Sequence, residues 1–139
     1  MRAYAANTNQ GLVRNYNEDR VSIILNILKP PQRESFPDSQ WPRCSFFAIY
    51  DGHGGSACAD YLRDNLHQFV IKQEAFPADP KEAIRAGFAE AEKQYLENAL
   101  EKTQTFVAEK SGSCAIVVMI VEEMCYVANV GDSRAVLSW

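Results

Sequence analysis

The sequence predicts an α+β domain, with strands and helices segregated along the chain. Three observations carry this: runs rich in β-branched and aliphatic residues toward both ends, two consecutive helical patterns between them, and no strict strand-helix alternation. With 139 residues, 47% of them hydrophobic, the chain is long enough for one domain, residues 1–139, with a buried core.

The elements follow in chain order. A short strand is expected near Tyr4, and "RVSIILNILK", Arg20 to Lys29, reads as a second strand stopped by Pro30-Pro31. "PPQRESFPDSQWP" has four of the six prolines and no apolar period, so a mobile loop is expected there. "RCSFFAIYD", Arg43 to Asp51, reads as a more buried strand. Cys58, Leu62, Leu66, Phe69 and Val70 then recur at helical spacing to about Gln73, with Ser56 available as the N-cap. Phe76-Pro77 breaks this helix. Asp79-Pro80 starts another, because an Asp cap followed by Pro at the first helical position is a preorganised helix start. Ile84, Phe88, Ala91, Tyr95 and Ala99 line one of its faces. Gly112 to Trp139 reads as an antiparallel meander of three runs, turned at Glu122-Glu123 and at Gly131-Asp132.

Composition narrows the function. The net charge is −4 and the basic residues are scattered, so nothing favours a nucleic-acid partner. The start of the chain lacks a signal-peptide stretch and no apolar run reaches membrane-spanning length, which predicts an intracellular protein, cytoplasmic or nuclear, without a membrane partner. Cys44, Cys58, Cys114 and Cys125 form no C-x-x-C pair and no zinc-like spacing. They read as small buried thiols in a reducing compartment.

"FFAIYDGHGG" places Asp51, Gly52, His53, Gly54 and Gly55 at the end of an apolar run. Gly52-x-Gly54-x-x-Ala57 satisfies the loose dinucleotide fingerprint, but Asp51 would set a carboxylate where a pyrophosphate sits. The expected ribose-binding acid would be Glu74, which lies between two helical segments instead of after a second strand. A plain tight turn is the stronger rival, since Asp and Gly dominate turns. "GLVRNYNEDRVSI" adds Arg14, Glu18 and Asp19 just before a strand, although charges there are usually only solvated. "NVGDSRAVL" adds Asp132 at a turn where Gly-Asp is ordinary hairpin chemistry. Each piece is weak alone. Together they supply carboxylates, one Arg and one His at strand ends, the inventory of a hard-cation site that handles a phosphate. Oxygen donors select Mg²⁺ or Mn²⁺ over zinc. His67, mid-helix and outside any motif, is assigned no role.

With those residues in place, the chain resembles the metal-dependent serine/threonine protein phosphatases of type 2C. "RNYNED", "FFAIYDGHGG" and "YVANVGDSRAVL" match three of that family's motifs in order, and "SGSCAIVVMI" fits the strand leading into the third. The resemblance implies an α-β-β-α sandwich of two antiparallel sheets flanked by helix pairs. It implies that Asp51 bridges two ions, that the carbonyl of Gly52 ligates one of them and that Glu18 holds the second largely through water. Asp19 would orient waters on the ions, Asp132 would contribute to a third, weaker metal site, Arg14 would bind the substrate phosphate and His53 would be the general acid. Phosphorylated proteins are the implied substrates.

The family's catalytic domain is about twice as long and its second half carries two further aspartates, so residues 1–139 are expected to be the N-terminal portion of that domain. Cys114 stands where a small hydroxyl residue is common, and Asn17 where many members have Met. Two other classes stay in view: a non-catalytic interaction module that keeps the fold without holding two metals, and a nucleotide-binding oxidoreductase.

Overall fold

The computed structural model describes residues 3–102 and 110–138. Its centre is a four-stranded antiparallel sheet of β1 (Arg20–Ile24), β2 (Cys44–Tyr50), β5 (Ala115–Val121) and β6 (Met124–Val130), in the spatial order β1-β2-β5-β6. A two-residue ribbon, β3 (Gly52–His53) with β4 (Gly112–Ser113), sits at the end where β2 runs out and β5 begins. Two helices, α1 (Ala57–Lys72) and α2 (Pro80–Lys102), separate the two halves of the sheet in sequence. The architecture is α+β, as the segregated patterns predict.

The period-two alternation of β2 decides which face is covered. Cys44, Phe46, Ala48 and Tyr50 point inward and are buried, whereas Ser45, Phe47 and Ile49 point the other way. The inward row packs with Leu66, Val70 and Ile71 of α1, Phe76 of the interhelix turn, and Val117 and Met119 of β5. Fully burying each of the larger aliphatic and Phe side chains contributes about 1.5–3 kcal/mol, so this layer is the main source of stability. The two helices approach closely because Gly87 has no side chain: a β-carbon there would lie 2.8 Å from the Val70 α-carbon. On the opposite sheet face Ile23 and Ile49 are exposed, and a groove of about 300 Å³ is lined by Tyr4, Val21, Phe47, Val118, Arg134 and Ala135. The second large sheet of the expected sandwich is not formed among the described residues.

Local signals explain the helix starts. Asp79 Oδ1 accepts a hydrogen bond from the Glu82 amide at 3.1 Å, the expected cap. Ser56 occupies the N-cap position of α1, but its hydroxyl turns to Asp60 Oδ2 at 3.1 Å instead of capping the backbone.

Five expectations need correction. Tyr4 is in no strand; its ring instead packs 6.3 Å from that of Phe47. The strand opened by Arg20 ends at Ile24, short of Lys29. The proline-rich loop is built from two short 3-10 turns, Pro31–Arg33 and Asp38–Gln40, and is tied down. Arg33 donates to the carbonyls of Gln73 and Phe76, both at 2.6 Å, and Trp41 Nε1 donates to the Ile27 carbonyl at 2.9 Å. The third run of the meander forms no strand, and Val136 and Leu137 are exposed, with no strand paired to them among the described residues; Trp139 lies outside the described residues. Of the four cysteines only Cys44 is buried: Cys58 and Cys114 are half-buried, and Cys125 is exposed on the edge strand β6.

Candidate metal and phosphate site

The predicted residues converge at one end of the sheet, where β1 begins, β2 ends and the β3-β4 ribbon closes over them. Arg20 pairs with Tyr50 in the β1-β2 register, which brings the segment just before β1 alongside the segment just after β2. Glu18 and Asp19 thereby meet Asp51 and Gly52. The contact is close: a β-carbon on Gly52 would lie 2.5 Å from the Glu18 carbonyl oxygen, so only glycine permits this approach.

Asp19 and Asp51 face each other. Burial, and next the neighbouring charge of Asp51, push the Asp19 carboxyl above its ordinary value, with Arg20 acting in the opposite direction. A partly buried acid held against an exposed one is a place at which a cation relieves repulsion. Glu18 is mostly buried; its Oε1 accepts the Gly55 amide at 2.6 Å and its Oε2 lies 3.8 Å from the Arg14 guanidinium. Gly54 and Gly55 have φ of +70° and +127°, left-handed values that let the loop turn its amide toward Glu18. Arg14 itself is 75% exposed, so its guanidinium stands in solvent beside Glu18.

The second half of the chain reaches the same place. The Cys114 amide donates to the Asp51 carbonyl at 2.8 Å, and the Cys114 thiol donates to Asp132 Oδ1 at 3.4 Å. Asp132 is thus tied to the residue next to the ribbon, one hydrogen-bonded step from Asp51. His53, exposed at the rim, lies opposite Gly112 in the ribbon. His67 is half-buried against Phe46, with ring centroids 6.1 Å apart, away from these residues.

The donor set fits a hard divalent cation: carboxylate oxygens lead it, and no thiol or imidazole cluster competes. Among the described residues, however, no three His, Cys, Asp or Glu side chains close into a finished cage. The dinucleotide alternative fails on geometry. Every pairing in both sheets is antiparallel, and Gly52 lies inside the ribbon instead of in a turn between parallel strands.

Sequence reasoning missed Arg20, Asp60 and Gly112. Arg20 and Asp60 are 40 residues apart, and no local pattern links them. Gly112 has a signal only in hindsight: a glycine in "SGSC" just where a strand must pass a functional loop.

A match to protein phosphatase 2C spans residues 10–139. The chain belongs to the protein phosphatase 2C family. It is 47% identical over 105 residues to a probable protein phosphatase 2C of Caenorhabditis elegans, an alignment covering 75% of this chain and 28% of that protein. It is 41% identical over 126 residues to protein phosphatase 2C homolog 2 of Aspergillus fumigatus, covering 86% of this chain and 27% of the relative. The chain therefore spans little more than a quarter of the length of these relatives. Among solved structures, a bacterial serine phosphatase superposes with a TM-score of 0.65 at 21% identity, over 91% of this chain and 46% of the other. A sex-determining protein of C. elegans superposes with a TM-score of 0.56 at 22% identity, over 77% of this chain and 24% of the other. These two establish the shared fold. Protein phosphatase 2C members are generally metal dependent. No helix among the described residues is long and apolar enough to cross a membrane.

Proposed function

We propose that this protein phosphatase 2C chain is the N-terminal portion of a catalytic domain that hydrolyses phosphoserine and phosphothreonine in proteins, using two Mg²⁺ or Mn²⁺ ions. The observation that carries the reading is the confrontation of Asp19 with Asp51 beside Glu18, at a mouth where Arg14 and His53 stand exposed. Asp51 and Glu18, with the Gly52 carbonyl, would hold the ions, and Asp132 would serve a third, weaker site. When bound, such ions make water a nucleophile near neutral pH.

The chain's own side chains do the rest. Arg14 binds the phosphate oxygens and stabilises charge as it builds on them. Asp19, facing Asp51, would orient the attacking water. A serine or threonine alkoxide is strongly basic and needs a proton to leave, which His53 supplies. The site of action is intracellular, cytoplasmic or nuclear, and the partners are phosphorylated proteins.

A second reading, a non-catalytic interaction module with the same fold, is favoured by the absence of a closed three-ligand cage among the described residues. One experiment separates them: titration of the complete protein with Mn²⁺ by calorimetry, together with phosphate release from a phosphothreonine peptide, for the wild type and Asp51→Asn. The phosphatase reading requires Mn²⁺ binding and turnover, both lost in Asp51→Asn with the fold intact. Turnover retained in Asp51→Asn would remove Asp51 as a metal ligand, and no binding in the wild type would leave the interaction module.

A further inference from the structure

We propose that Gly112 is a positioning residue for His53, kept without a side chain so that the imidazole can occupy the space over its α-carbon. The inference rests on the reading of His53 as proton donor. Gly112 is the direct partner of His53 in the β3-β4 ribbon. A β-carbon at Gly112 would lie 2.3 Å from His53 Nε2, 2.8 Å from Cε1 and 3.2 Å from Cδ2. The first two are far inside van der Waals contact, and Nε2 is the nearest atom. The backbone of Gly112 is not left-handed, so an alanine is conformationally acceptable there and only the imidazole stands in its way.

The strand cannot retreat to make room. On one side of Gly112, Ser111 is buried, and its Oγ accepts the Cys58 amide at 2.9 Å and hydrogen-bonds the Tyr95 hydroxyl at 2.8 Å. On the other side, the Cys114 amide is fixed on the Asp51 carbonyl at 2.8 Å. With Ser111 and Cys114 anchored on either side of the Gly112-Ser113 pair, an added methyl group displaces the exposed ring more readily than the strand.

The chemical consequence is selective. In hydrolysis the phosphorus-oxygen bond to the leaving group breaks as the water oxygen bonds to phosphorus and gives up a proton to solvent, and the proton on the imidazolium passes to the leaving oxygen. An alkoxide depends on that proton, whereas a nitrophenolate leaves without it. Displacing His53 should therefore slow phosphothreonine peptides and spare p-nitrophenyl phosphate.

The test compares wild type, Gly112→Ala and His53→Gln in the complete protein, with thermal midpoints measured alongside. Gly112→Ala is expected to lower peptide turnover about tenfold or more while changing p-nitrophenyl phosphate turnover less than about twofold, the same selectivity as His53→Gln. Equal losses on both substrates, or no loss, with His53→Gln still selective, would overturn the role of Gly112. A His53→Gln variant without selectivity would instead overturn the proton-donor reading. Should Gly112→Ala not fold, nuclear Overhauser contacts between the Gly112 α-protons and the His53 ring in the wild type decide the point: their presence supports the packing and their absence refutes it.

Discussion

Arg20 and Asp60 form a two-pronged ion pair, Nε to Oδ1 at 2.7 Å and Nη2 to Oδ2 at 3.2 Å, and the same guanidinium donates from Nη1 to the carbonyls of Asn17 and Asp19, both at 2.8 Å. One side chain therefore brackets the Glu18-Asp19 segment onto the first turn of α1. The hydrogen bonds from Arg20 are the main reason the Asp60 carboxyl is held below its ordinary value, with help from Ser56 and Arg63.

Arg20→Lys keeps the charge but has no planar fork with which to reach four acceptors. It is expected to lower stability by only about 1 kcal/mol, because both partners are partly solvated. Its larger effect should be on Mn²⁺, with affinity weakened about tenfold or more, as for lost outer-shell support. Calorimetric titration beside a melting curve separates the two. An unchanged Mn²⁺ affinity would make the bracket purely structural.

Gly52→Ala should be more damaging than its size suggests. The new methyl group would meet the Glu18 carbonyl at 2.5 Å and the Ala59 β-carbon at 3.3 Å, so the carboxylate-bearing segment has to move. A loss of about 1–3 kcal/mol is expected from overpacking, accompanied by loss of Mn²⁺ binding. Chemical denaturation and metal titration of the variant measure both; a fully stable, metal-competent Gly52→Ala would contradict the close approach.

The stability of the domain should depend on His67 in mildly acid solution. Burial, reinforced by Lys72, lowers its pKa below the ordinary 6.5, with Asp64 acting the other way. The unfolded chain then takes up a proton more readily than the folded one. The contribution is complete above pH 6.5 and is lost as pH falls through the folded value. His67→Gln is expected to flatten the fall of the thermal midpoint below pH 6.5; an unaltered slope would exclude His67 as the titrating group.

The thiols should separate sharply in reactivity. Cys44 is 1% exposed and burial pushes its pKa up to about 12, whereas Cys125 is open to solvent. Iodoacetamide should label Cys125 in the native protein and spare Cys44 until denaturant is added. Peptide mass mapping over time reads the order, and early modification of Cys44 would show that the β2 layer opens readily.

How much of this was legible in the sequence depends on the range of the signal. Asp79-Pro80 marked the start of α2 because an N-cap acts within one turn, and the alternation in "CSFFAIY" marked the inward row of β2. The β3-β4 ribbon was not legible: each strand is two residues long, and both helices lie between them. The run at Arg134 to Leu137 looked like a strand because apolar composition is local, but a strand exists only against a partner, and none lies beside it among the described residues. Cys125 was misread for a related reason, since an apolar run does not reveal that its strand is an edge. Of the candidate site, the motifs pointed to Arg14, Glu18, Asp19, Asp51, Gly52, His53 and Asp132, which the fold brings to one end of the sheet. The supports, Arg20 with Asp60 and Gly112 with His53, are long-range contacts that only the fold reveals.

The order β1-β2-β5-β6 also dictates when the site can come into being. The β1-β2 and β5-β6 pairings join neighbouring strands, whereas β2 and β5 meet only after the chain has closed a loop containing both helices. That central seam carries the largest loop-closure entropy and is the slow step expected of a non-local pairing. It also divides the site, with Arg14 to His53 on one side and Gly112, Cys114 and Asp132 on the other. Stopped-flow refolding should therefore show Mn²⁺ uptake no earlier than the final burial of the sheet; earlier uptake would mean that the residues up to His53 assemble a metal site by themselves.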